Sequence, residues 1–75
     1  MENVIAAITK NVKRFGFEIP SLDNRKPKYD GERADLERDM IIWANRFEVT
    51  SLYDKRREFA KELAAATGRY LAVCL

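Results

Sequence analysis

The stretch Leu36-Glu37-Arg38-Asp39-Met40-Ile41-Ile42-Trp43-Ala44-Asn45-Arg46-Phe47 decides how this chain folds. At about 100° per residue, Leu36, Met40, Trp43 and Phe47 share one narrow face, the apolar stripe of a helix that covers a core. Ile41 and Ile42 fall at about 140° and 240° on the same wheel, almost opposite that stripe. The turn from Met40 to Trp43 is therefore apolar all round. Burying one isoleucine is worth roughly 1.5–3 kcal/mol, so two left in water forgo much of a small domain's stability. Either this helix is central, flanked by the other two, or Ile41 and Ile42 face another chain.

Working towards the N-terminus, Asp30 is a good N-cap for this helix, and Glu32 in the first turn suits its dipole. Before it, Pro20 and Pro27 bracket a polar stretch and, with Asp30-Gly31, mark one long connection over about residues 20–31. The first helix runs from residue 2 to about 15. Val4, Ile8, Val12 and Phe15 lie on one face with Ile5 near it, and Lys10, Lys13 and Arg14 lie opposite. Gly16 closes it. Pro20 keeps Ile19 out of helical space, so Phe17-Glu18-Ile19 is extended.

Working towards the C-terminus, the central helix ends near Phe47, because Thr50, Ser51 and Asp54 stand where a continued stripe needs apolar residues. Ser51 with Asp54 suggests a capping box for a third helix over about residues 52–67, with Leu52, Phe59, Leu63 and Ala66 as its stripe. Two endings remain open after it. Gly68 stops the helix and leaves residues 69–75 as a strand that can pair with 15–19, or else Tyr70 and Val73 continue the stripe; the first ending is the expectation. The expected fold is a mainly α, three-helix domain over residues 1–75, its last two helices forming a hairpin. A short two-stranded element (15–19 with 70–75) is an option.

Composition narrows the function. The chain has 75 residues, one cysteine and no histidine, which excludes Cys₂His₂ and Cys₄ zinc sites, an internal disulfide and histidine-based triads. A net charge of +2 implies no anionic partner by itself. No apolar run reaches the ~20 residues that span a bilayer, and nothing at the N-terminus reads as a secretory signal, so a cytoplasmic setting is expected. A basic, amphipathic first helix suits a membrane surface or targeting segment less well than it suits one wall of a core. The carboxylate pairs Asp35/Asp39 and Glu58/Glu62 read as surface ion pairing with neighbouring bases rather than a cation or acid–base site. Cys74, in apolar company, reads as structural.

The string Ala44-Asn45-Arg46-Phe47-Glu48-Val49-Thr50-Ser51, followed by Lys55, Arg56 and Arg57, resembles the turn of helix-turn-helix DNA readers over about 13 residues. Glu48 stands where those readers carry glycine, and Asp54 where they bury Val or Ile. The resemblance implies nucleic-acid contact through Lys55 and Arg57. Arg25, Lys26 and Lys28 beside Tyr29 form a second basic and aromatic cluster that suits a phosphate backbone. Interleaved Asp54, Glu58 and Glu62 make a solvated, salt-laced face the better reading of the third helix, and Arg56 points into its apolar stripe, where it snorkels or meets a carboxylate.

The expectation is thus a non-catalytic protein-interaction module without a cofactor, self-associating or binding a protein target that it occludes or bridges. Its candidate contact residues are Ile41, Ile42, Tyr70, Leu71, Val73 and Leu75. A small DNA- or RNA-binding regulator is the alternative.

Overall fold

The computed structural model describes residues 2–73, Glu2 through its backbone alone. Three helices, α1 (Glu2–Arg14), α2 (Glu32–Val49) and α3 (Tyr53–Ala72), are the regular elements among them. The expected mainly α, three-helix domain is the one observed.

The end of α1 follows from local chemistry. Gly16 takes a positive φ of 84°, which a Cβ would disfavour. Its N–H donates to the Lys13 carbonyl at 3.0 Å, and the Phe17 N–H donates to the Val12 carbonyl at 3.1 Å. These two bonds are the Schellman pattern, and they satisfy carbonyls that the helix end would otherwise orphan. The next residues have no regular secondary structure, and Phe17 and Ile19 pack partly buried against the core.

The other termini depart from expectation. Gly31, not Asp30, occupies the N-cap of α2, with no side-chain cap. The negative charge of Glu32 in the first turn suits the helix dipole, while its carboxylate accepts the N–H of Lys28 in the preceding loop at 2.9 Å. Leu52 is the N-cap of α3, so Ser51 and Asp54 form no capping box. Leu52 is also exposed rather than part of the α3 stripe.

The largest correction lies at the C-terminal end. Gly68 does not stop α3, which continues to Ala72, and no strand pairs residues 15–19 with the tail among the described residues. The Pro20 ring and carbonyl pack so closely on Gly68 that a Cβ would stand 2.9–3.0 Å from them. A little further on, the Arg25 N–H donates to the Ala72 carbonyl at 2.9 Å. The proline-bracketed connection is thus a strap lying across the C-terminal half of α3, and glycine is what lets it lie so close. The strap is fastened at its far end by Glu32, which is buried and accepts from both Arg25 guanidinium nitrogens at 2.7 and 3.2 Å. Arg25 first, then the Lys28 N–H, hold the Glu32 carboxyl at about 2, well below its usual 4.5.

α3 is the central element, correcting the alternative that placed the second helix there. Both α1 and α2 pack on α3 and touch one another weakly. The core joins Ile8 and Val12 from α1, Met40 and Phe47 from α2, and Ala60, Leu63, Ala64, Ala66 and Tyr70 from α3. Being covered on two sides and by the strap, α3 buries a broad arc of small residues. Its buried Thr67 hydroxyl is satisfied by the Leu63 carbonyl at 2.8 Å.

Candidate interaction surface

α2 has two sides that differ in what covers them. Against α3, Met40 is fully buried and Phe47 nearly so, with Leu36, Trp43 and Ala44 half-buried. On the opposite side Ala34, Arg38, Ile41, Ile42, Asn45 and Val49 are all exposed. Ile41 is 40% exposed, Ile42 41% and Val49 83%. The chain therefore leaves a substantial part of both isoleucines in water. The reason is topological: α1 would have to lie on that side to cover them, and α1 lies on α3 instead.

The flanks of this stripe are charged and engaged. Asp39 accepts from Arg69 at 3.3 Å, and Asp35 accepts from the Tyr29 hydroxyl at 2.9 Å and lies 3.5 Å from Arg38. The hydrogen bond to Asp35 is the main reason the Tyr29 hydroxyl titrates above its usual value. The Arg46 guanidinium lies 4.8 Å from the centre of the Trp43 ring, and Trp43 in turn meets Phe59 at 5.9 Å. Apolar surface rimmed by fixed charge is the usual anatomy of a protein contact surface.

The tail residues separate. Tyr70 and Val73 are 3% and 2% exposed inside their own protomer, so as they stand they offer no surface to a partner. Leu71 faces outward, 37% exposed. Leu75 and Cys74 lie outside the described residues. A continuous helix explains the split, because positions 70 and 73 face the core while 71 faces away.

The basic candidates are not brought together. Arg25 is committed to Glu32, and Lys26 and Lys28 stand exposed on the strap. Lys55 lies 3.5 Å from Glu58 within α3, and the Arg57 guanidinium lies 5.5 Å from the Phe17 ring centre. Arg56 snorkels over Phe47 at 4.7 Å, meeting aromatic carbon rather than a carboxylate, and its Nε is buried without a hydrogen-bond partner. The α2–α3 connection also departs from a helix-turn-helix. Phe47 meets Arg56, Trp43 meets Phe59 and Asp39 meets Arg69, so the helices stay together for several turns. A helix-turn-helix crosses at about 90–120° and its helices diverge. This is an antiparallel hairpin.

One feature was not legible in the sequence. Where α1 and α2 splay apart, a groove of about 290 Å³ opens between Val4, Ala7 and Ile8 on one side and Ala44 and Phe47 on the other, floored by Leu63. Val4, expected in the core stripe, is instead 43% exposed at its rim. Helical periodicity identifies an apolar face but not the angle at which a neighbour crosses it.

Among the described residues no three His, Cys, Asp or Glu side chains converge as a metal ion would require, and no helix is long and apolar enough to cross a membrane. The chain matches no family model, no curated protein and no solved structure.

Proposed function

We propose that the protein is a non-catalytic interaction module that self-associates and acts by occupying or bridging a protein target. The observation that carries this reading is the outer face of α2. Two adjacent isoleucines at the middle of an 18-residue helix are each about 40% exposed, in line with Val49 on the same face. A domain of this size has little stability to spare, and the apolar area left in water contributes none, so a surface that carries it on a fixed helix suits a partner. The nearby acids support a non-catalytic reading. Asp35, Asp39 and Glu58 are each held in an ion pair or hydrogen bond along a helix surface, and the carboxyl held far from its usual value, Glu32, is closed by Arg25.

Sedimentation at micromolar concentration tests the reading. The expected result is a mass above that of one protomer, maintained at high salt because apolar burial drives it, whereas a phosphate binder loses affinity steeply with salt. Ile42→Lys should return the protein to a monomer with its helix content intact. A strict monomer, with Ile42→Lys changing nothing, would overturn it.

A further inference from the structure

We propose that the outer stripe of α2 binds the same stripe of a second copy of this chain, the two α2 helices lying antiparallel about a two-fold axis that passes between Ile41 and Ile42. This deepens the reading above and rests on it.

The first support is the order of residues along the stripe. Ala34, Arg38, Ile41, Ile42, Asn45 and Val49 are separated by 4, 3, 1, 3 and 4 positions, the same series from either end. The chemistry is palindromic as well: small or apolar, polar, isoleucine, isoleucine, polar, apolar. Laid antiparallel on itself, the stripe sets Ile41 on Ile42, Ala34 on Val49 and Arg38 on Asn45. A two-fold interface requires such self-complementarity, since each residue pair occurs twice. The midpoint of the palindrome also falls within a residue of the middle of α2, so the two helices overlap over residues 34–49, about 24 Å at 1.5 Å per residue.

The second support is charge. At about 100° per residue, Asp35, Asp39 and Arg46 lie along one flank of the stripe. In an antiparallel two-fold pair like flanks meet, and Arg46 of one copy then falls level with position 37 of the other, between that copy's Asp35 and Asp39. On the opposite flank Glu37 and Glu48 of different copies come within a turn of each other, with Arg38 in the seam beside them. The parallel arrangement keeps one opposite-sign approach, Arg46 to Glu48, but stacks Arg38 on Arg38 and brings Asp35 and Asp39 against Glu37. The antiparallel pair sets each Arg46 between two carboxylates at the expense of the Glu37–Glu48 approach, so charge favours it. A single helix-to-helix seam lies at the low end of specific interfaces, about 1,200 Å² in total or less, so the association is reversible.

Cysteine trapping in the full chain, with Cys74→Ser to remove the native thiol, tests the geometry. Positions 38 and 45 are exposed, so Arg38→Cys and Asn45→Cys leave the core intact. In the antiparallel pair, position 38 meets position 45, while the two copies of position 38 are separated by about 10 Å along the axis. A disulfide spans no more than about 7 Å between Cα atoms. Mixing the two variants under mild oxidation should give a mixed disulfide, identified by mass, while each alone stays uncrosslinked. Arg46→Glu should weaken association about tenfold, with recovery on mixing it with an Asp35→Lys/Asp39→Lys chain. Homodisulfides from either variant alone would show parallel pairing, and a dimer that forms no disulfide would show another surface. Either overturns this proposal while leaving self-association standing. A monomer at every concentration overturns both.

Discussion

Replacing Gly68 by alanine should destabilise the protein, although glycine to alanine inside a helix ordinarily stabilises by about 1 kcal/mol. The new Cβ would lie 2.9 Å from Pro20 Cγ and 3.0 Å from both Pro20 Cδ and the Pro20 carbonyl oxygen. Contacts that short must be relieved, and a proline ring cannot rotate away. The strap carrying it is held downstream by the Arg25–Ala72 backbone bond and the Arg25–Glu32 pair, and upstream by partly buried Ile19. Overpacking of this kind costs about 1–3 kcal/mol. Against the propensity gain the net is a loss of about 1 kcal/mol, or a Tm lower by about 4–8 °C for a domain of this size. Thermal and urea unfolding followed by circular dichroism measure it. In a Pro20→Ala background, where the ring is gone and the backbone freer to yield, the same Gly68→Ala change should cost less or turn stabilising. The non-additivity is the signature of direct contact. A higher Tm for Gly68→Ala in the native background would refute this account, because the strap would then be resting on α3 without constraint.

Three further outcomes are expected. The folded-state pKa of Glu32, about 2 against an ordinary 4.5, means that its contribution is in place above about pH 4.5 and is lost as pH falls towards 2, so the stability gap between wild type and Glu32→Gln should narrow across that window. A gap unchanged from neutral pH to pH 2 would show that Arg25 and Glu32 are not coupled in the fold. Arg56→Met removes a buried, unpartnered N–H, a penalty of about 1–3 kcal/mol, at the cost of a cation–π contact worth about 0.5–1 kcal/mol. It should match or exceed wild-type stability in urea, and a clear loss would mean that the guanidinium has a role beyond snorkelling. Met40→Ala opens a cavity at a fully buried position and should cost about 2–5 kcal/mol, enough to bring a domain of this size close to unfolding at room temperature. Retained cooperative melting at an unchanged temperature would place Met40 outside the true core.

The first two helices could be read because their signals are local. The Schellman stop at Gly16 needs a residue free to take positive φ, and the buried positions of α2, Met40 and Phe47, follow from periodicity alone. The excess apolar circumference at Ile41 and Ile42 was legible for the same reason, but whether a neighbouring helix covers them was not, and the structure leaves each about 40% exposed. The end of α3 was not legible. Glycine reads as a stop in sequence, and what makes Gly68 part of a helix is a proline 48 positions away that needs the missing Cβ. The central place of α3 was equally hidden. Its buried face is built from Ala60, Ala64, Ala66 and Gly68, which look like helix propensity or a breaker until two helices and a strap are laid on them.

The sequence by itself therefore determined that there would be three helices, which faces would be apolar, and that the middle one would have more apolar circumference than one neighbour can bury. Hydrophobic periodicity and glycine chemistry act within a few residues, and that range suffices for such statements. Only the tertiary structure decided which helix is central, where the last one ends and which apolar residues stay in water. Those outcomes depend on contacts between residues far apart in the chain, where Pro20 meets Gly68 and α1 settles on α3 instead of on the outer face of α2.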